Sequence, residues 1–435
     1  MFEKYKKVYK ADYEKWYKEN KNNTSVKFVL LGINPLLGFL SALVDLKTKS
    51  SFIILFLFFI CIGFSLTIPE IRTDKCNYDA ITYRQNFEAY TKYDTNIFFS
   101  NLKDWVALEG ESDFYADTLY FLVSRFSGNY HIMFMVTALV FSFFLLKSLR
   151  FFVLDEHFDR SLCCYILLYL FLSNQILNLN MFRYYTAMWI TVYALLNVFV
   201  LHKTKYLFLL LLTPFFHGSF WLIYALFLLF YLTVKWKRIW EICFIISIFV
   251  GELSLELFRE SAEFIPLLTN HFEGYLDENY VYRINEGGSG HIWVVRFLER
   301  CSIGYINLLI LVLIINYKKH IKGTDCTVIY IFLLVLMSFV NFTIVIPSLG
   351  SRFVMLANEG ITIVIPFIAY VWLRCLLIRK NNIYIYGLGC MFIVHALLPF
   401  NIYQFPCIQH YLSLLETCFF YASPLYLVNK YIFWL

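Results

Sequence analysis

Several charged and polar residues stand where this chain's apolar background would otherwise place leucine. In residues 174–219, NQILNLNMFRYYTAMWITVYALLNVFVLHKTKYLFLLLLTPFFHGS, a polar cluster (Asn174, Gln175, Asn178, Asn180, Arg183, Tyr184, Tyr185, Thr186) interrupts one apolar run, and His217 closes a later one. Ionisable groups in such surroundings are costly and mostly face a cavity or a partner. A guanidinium binds phosphate oxygens through a planar fork of donors. An imidazole, with an unperturbed pKa of ~6.5, accepts a proton or donates to phosphate near neutrality. Upstream, the run IRTDKCNYDAITYRQ carries Arg72, Asp74, Tyr78, Asp79, Tyr83 and Arg84. Asp79, Tyr83 and Arg84 have helical neighbour spacing, which gathers acid, phenol and base on one face. Arg296 and Arg300 are one turn apart around Glu299, and Arg352 sits in Ser351-Arg352-Phe353. Directed into one cavity, Arg183, Arg296, Arg300 and Arg352 would bind diphosphate. The plainer readings are an interfacial Arg183 reaching headgroups, a His217 held by a carbonyl, and a solvated amphipathic helix over Asp79–Arg84.

The elements that must position these groups are membrane helices. The chain of 435 residues is 60% hydrophobic and only 16% charged, against about 25% in soluble domains. Its apolar residues come mostly in runs that match the length of a spanning helix. The fold expected is therefore an all-α polytopic membrane protein with 12 or 13 transmembrane segments. The 47 Phe and 33 Tyr suit lipid-facing surfaces and interfacial belts. The 11 Cys are scattered in apolar runs without metal-ligand spacing, and the net charge of +6 resides in short loops, so neither metal nor nucleic acid is expected.

Residues 1–26 are polar, Lys-rich and without an apolar h-region, which reads as an interfacial amphipathic segment preceding a single membrane domain, 27–435. Basic residues cluster at Lys147–Arg160, His202–Lys205, Lys235–Arg238, Lys318–Lys322, Arg374–Lys380 and Lys430. Alternating spans put all six clusters on the cytoplasmic side. The larger segments 69–129 and 258–295 then face outward, as do the positions of Arg183 and Arg352. Lys47 and Lys49 also come out cytoplasmic, so residues 28–45, with Asn34-Pro35 and two glycines, either span against the rule or are re-entrant or interfacial. The 206–234 run is broken at Pro214 and His217-Gly218-Ser219 and reads as two short helices with His217 at a buried tip. A broken backbone at membrane depth needs protein or water around it. The acids Glu109, Glu111, Asp113 and Asp117 lack the spacing of a calcium loop, and the GGSG near 287–290 lacks the phosphate-loop pattern.

The pattern resembles the EpsG/Wzy group of bacterial polysaccharide polymerases. It is carried by Arg72, Asp74, Tyr78-Asp79 and Tyr83 after an early span, Asp113 to Phe121 leading into Gly128, Arg183 opening a helix, Phe216-His217-Gly218-Ser219 after a basic turn, and Ser351-Arg352-Phe353. The resemblance covers most of residues 50–370. It implies a GT-C-like fold in the inner membrane and a glycosyltransferase that joins undecaprenyl-diphosphate-linked oligosaccharide repeat units at the outer face, with lipid diphosphate as leaving group. It implies neither nucleotide sugar nor metal cofactor. A flippase and a chain-length regulator of the same pathway would be partners. On that reading Arg183, Arg352, Arg72, Arg84, Arg296, Arg300, Tyr78 and Tyr83 bind the diphosphate substrate, and stabilising the departing charge lowers the barrier. Asp79, Asp74 and His217, in that order, are the candidates to accept the acceptor hydroxyl's proton. The competing readings are a lipid-linked oligosaccharide flippase, against which no internal repeat is visible, an O-antigen-ligase-like transferase, and a membrane O-acyltransferase with His217 as base.

Overall fold

The computed structural model describes residues 16, 21–71, 79–107, 109, 113–155, 158, 164, 181–250, 292–343, 363–375 and 423–433, with backbone alone over 292–300. Among these, the chain forms 15 α-helices and no strand. They are α1 (Lys21–Ile33), α2 (Pro35–Val44), α3 (Lys49–Ser65), α4 (Asp79–Tyr90), α5 (Thr95–Val106), α6 (Tyr115–Ser124), α7 (Tyr130–Val153), α8 (Phe182–Phe199), α9 (Leu207–Phe216), α10 (Phe220–Thr233), α11 (Lys237–Ser247), α12 (Ile292–Asn316), α13 (Cys326–Thr343), α14 (Val364–Cys375) and α15 (Pro424–Val428).

Residues 28–45 do not form one spanning helix. The Asn34 side chain caps α2 by accepting from the Leu36 amide at 2.8 Å, and Pro35 opens the helix with its ring-fixed φ. The 13 residues of α1 and 10 of α2 are about 20 and 15 Å long, short of a ~30 Å core. The two helices fold onto each other so closely that a Cβ on Gly38 would meet Leu31 at 2.8 Å. Lys27 of α1 is buried, and its ammonium donates to the hydroxyls of Thr48, Ser50 and Ser51 at 3.1, 3.2 and 2.8 Å, with Asp45 at 3.7 Å. Three donors with three acceptors and a nearby carboxylate account for a buried amine.

Among the described residues two helices, α7 and α13, are long and apolar enough to cross a membrane. With 24 residues α7 measures about 36 Å. It packs against α3, where a Cβ on Gly63 would lie 2.5 Å from the Phe134 carbonyl and from Ala138 Cβ. Only a hydrogen fits there.

At the centre runs α8. Every residue in it is buried except Arg183 and Tyr193. A helix apolar on all sides is held on all sides: Phe199 meets Phe227, Phe230, Phe332 and Phe367 from α10, α13 and α14. Deeper polar contacts join α11, α12 and α13. Asn307 and Asn341 exchange amide hydrogen bonds at 3.1 Å, and Asn341 also donates to Ser247 at 3.2 Å. Beyond the last residue of α7, Asp155 receives Arg374 of α14 at 3.0 Å, while the same guanidinium reaches Asp325 at 3.4 Å. Lys47 donates to the Asp155 carbonyl at 3.2 Å.

Candidate active site

Four segments meet at the head of α8. The first is α8 itself. Met181 gives its N-terminus no side-chain cap, and the opening amides of any helix lack intrahelical partners. Arg183 lies in this first turn, where the helix dipole disfavours a cation. An anion must offset it, and Asp113 does: both carboxylate oxygens lie near Arg183 Nη1, at 3.1 and 3.2 Å.

Asp113 comes from the second segment, just before α6. It is 3% exposed and also accepts from the Gly218 amide. Burial pushes its carboxyl above the ordinary range, and the Arg183 guanidinium pulls in the opposite direction. Next to it the Phe114 amide donates to the Phe215 carbonyl at 3.1 Å. That bond ties the start of α6 to the end of α9.

The third segment is the break between α9 and α10. Pro214 has no N–H for the Leu210 carbonyl, and the Thr213 hydroxyl donates to that carbonyl instead, at 2.7 Å. After Phe216 the backbone turns extended at His217. The Ser219 amide donates to His217 Nδ1 at 3.3 Å, with the Ser219 hydroxyl at 2.9 Å from the same atom. A neutral imidazole accepting at Nδ1 carries its proton on Nε2. His217 so held is a hydrogen-bond donor at Nε2. Tyr184 packs against its ring edge-on, with centroids 5.4 Å apart.

The fourth is α4. Tyr83 is buried, its ring lies 5.6 Å beneath the Arg183 guanidinium carbon, and it packs on Phe182 at 4.6 Å. Burial raises its phenol above the ordinary range, Arg183 lowers it, and Asp79, one turn earlier, raises it. Around this junction Tyr115 packs against Phe216, the rings tilted at 45° with centroids 4.5 Å apart. The hydroxyls of Tyr115, Tyr120 and Thr186 and the Nε of Arg183 are buried without hydrogen-bond geometry to any partner. Buried donors of this kind cost about 1–3 kcal/mol each when unmet.

The residues singled out in the sequence thus divide. Tyr83, Arg183 and His217 are brought together. Asp79 opens α4 on an exposed position beside them. Arg84 takes another direction: it pairs with Glu70 at 2.8 Å and Glu88 at 2.6 Å, donates to the Ile68 carbonyl and lies over Tyr130 at 4.3 Å. Arg296 and Arg300 lie one turn apart in α12, backbone alone being described there. Arg72, Asp74, Tyr78 and Arg352 fall outside the described residues. The residue that sequence reasoning left out of the site is Asp113, named there only among acids that lack calcium-loop spacing and at the head of the stretch Asp113 to Phe121. Those acids go separate ways, Asp113 to Arg183 and Asp117 to the Tyr90 hydroxyl. Its one signal in the sequence is position, directly before the aromatic pair Phe114-Tyr115.

The family model that describes EpsG proteins matches residues 58–413, which contain the whole of this junction. No curated protein and no solved structure matches the chain.

Proposed function

The chain belongs to the EpsG family, of polysaccharide-polymerase type, and from that premise we propose that it extends a polysaccharide by glycosyl transfer between lipid-linked repeat units. The donor is a sugar chain on undecaprenyl diphosphate, the acceptor a sugar hydroxyl of a second lipid-linked unit, and the site faces outward from the bacterial inner membrane in a GT-C-like fold. One observation carries this reading: a partly exposed arginine at an uncapped helix head, held by a buried carboxylate through one nitrogen only. Helix amides and guanidinium together form an anion site.

In the reaction the anomeric C–O bond to phosphate breaks, the acceptor oxygen bonds to the anomeric carbon, and the lipid leaves with its diphosphate. Negative charge grows on the diphosphate, where Arg183 and the Nε2–H of His217 meet it. The acceptor's proton goes to a carboxylate. Asp79, exposed beside Tyr83, and Asp74 stand in that role. Arg352, Arg296, Arg300 and Arg72 are the further cations of the clamp, and Tyr78 and Tyr83 line it. A flippase delivers units to the site, and a chain-length regulator acts on its product.

Deleting the gene and running surface glycan on a gel tests the proposal. Single repeat units that still reach the surface, with the ladder of longer chains gone, are the expected result. Loss of exported units altogether would point to a flippase instead.

A further inference from the structure

Arg183 offers five N–H donors in a rigid fork. Asp113 takes them in an unusual way. A carboxylate and a guanidinium commonly join along an edge, two parallel bonds from two nitrogens. Here both oxygens of Asp113 converge on Nη1 alone. Nε is left buried and unbonded, and the side chain remains 33% exposed. The Tyr83 ring beneath limits tilting of the guanidinium plane. The anchor itself is fixed: Asp113 is 3% exposed, receives the Gly218 amide and is followed by the Phe114–Phe215 backbone bond.

A free arginine side chain gives up much rotamer entropy when it is ordered. A guanidinium already held at one corner has lost most of that freedom before a ligand arrives, the condition for strong transition-state stabilisation. We propose that Asp113 is a positioning residue: it grips Arg183 by Nη1 and thereby holds the exposed part of the guanidinium ready for the diphosphate of the lipid-linked donor. The inference rests on the reading of this site as diphosphate-binding. It adds a residue that the reading does not itself require.

The test uses the purified full-length chain in proteoliposomes, with lipid-diphosphate-linked repeat units as substrate and glycan length as readout. Asp113→Asn is expected to lower kcat about 10- to 100-fold with KM changed less than about threefold, and Asp113→Glu to recover at least part of the loss. In an Arg183→Lys background, Asp113→Asn is expected to cost little more, because an ammonium has no edge to orient. Wild-type kcat in Asp113→Asn overturns the inference. So do losses that multiply fully across the Arg183→Lys background, or losses in Asn and Glu variants alike that track a lowered melting temperature. Failure of the wild-type protein to lengthen lipid-linked units is a different outcome. It removes the polymerase reading itself, whatever Asp113 does.

Discussion

Two arginines hold buried carboxylates near opposite ends of α7, and they spend their donors differently. Arg374 is 5% exposed in its side chain and bridges two acids, Asp155 through Nη1 and Asp325 through Nη2. Arg183 is 33% exposed and meets one acid with one nitrogen. The first fastens the end of α7 to α14 and to the start of α13. The second sits by Tyr83, whose neighbour Arg84 lies over Tyr130 at the other end of α7. A saturated guanidinium is a fastener. One with unspent donors can serve, on the proposed function, as a receptor.

The largest expected effects separate the two roles. Arg374→Ala leaves the buried carboxylate of Asp155 and the partly buried one of Asp325 without their cation, at a cost of about 3–5 kcal/mol. The folded protein recovered from membranes should fall sharply, and polymer should fall with it in proportion. Arg183→Ala should leave more of the protein folded than Arg374→Ala, because it strands one carboxylate rather than two and the arginine itself is partly exposed, while polymer per folded molecule drops about 100- to 1,000-fold, as when a principal oxyanion donor is removed. Polymer normalised to folded protein, measured for both variants, checks the contrast. Normal polymer per molecule in Arg183→Ala would erase it.

Replacement by lysine sharpens the same contrast at smaller cost. A lysine ammonium is a compact charge without a fork. It cannot span Asp155 and Asp325 as Arg374 does, so Arg374→Lys should destabilise by about 1–3 kcal/mol and leave activity per folded molecule unchanged. Arg183→Lys keeps a cation beside Asp113 and should melt near the wild-type temperature, with kcat down about tenfold or more. Reversed outcomes, a stable Arg374→Lys and an unfolded Arg183→Lys, would exchange the two roles.

Much of this architecture is legible in the sequence because it follows from apolar run lengths and from residues that break helices. Asn34-Pro35 divides one apolar run into α1 and α2, and Pro214 with His217-Gly218 divides another into α9 and α10. Arg183 is legible because an arginine at the edge of an apolar run demands a reason. Its partner is not. Asp113 lies 70 residues away among acids of the same composition, and only packing selects it over Asp117. Arg84 shows the converse. Helical spacing puts it near Tyr83, yet Glu70 and Glu88 draw it to the other side of α4. Arg374 reads in the sequence as a loop charge that sets orientation, since nothing local reveals that Asp155 and Asp325 come to meet it.

His217 offers a third, smaller test, set between the fastener and the receptor. With Nδ1 occupied by the Ser219 amide, the neutral ring donates from Nε2 and has no acceptor to give the incoming hydroxyl. A donor role predicts that His217→Gln, which keeps an N–H, retains most activity while His217→Ala loses about tenfold. A base role predicts equal loss in both, since an amide does not take up a proton. Single-turnover rates of the two variants decide it.

The smallest effect is a dependence on pH. In the folded protein the Asp113 carboxyl lies above its ordinary value because burial outweighs Arg183 and the Gly218 amide, with Asp117 adding in the same direction as burial. Tyr83 and Tyr120 are further titratable groups whose interaction with Asp113 is felt. Removal of Arg183 withdraws the main opposing influence, so in Arg183→Ala the folded-state value rises further above the unfolded one. A group of that kind favours the folded state fully below its unfolded pKa, and the advantage is lost as pH rises through the folded pKa. The melting deficit of Arg183→Ala relative to wild type should therefore be least at acidic pH and widen as pH rises through the wild-type folded value toward the higher one of the variant, with a slope of at most about 1.4 kcal/mol per pH unit for one proton. In Arg183→Ala combined with Asp113→Asn the titrating group is gone, and the deficit should lose this dependence. A deficit that stays flat with pH in the single variant would mean that water reaches Asp113 once Arg183 is removed, and that the arginine, rather than the protein around it, keeps the site dry.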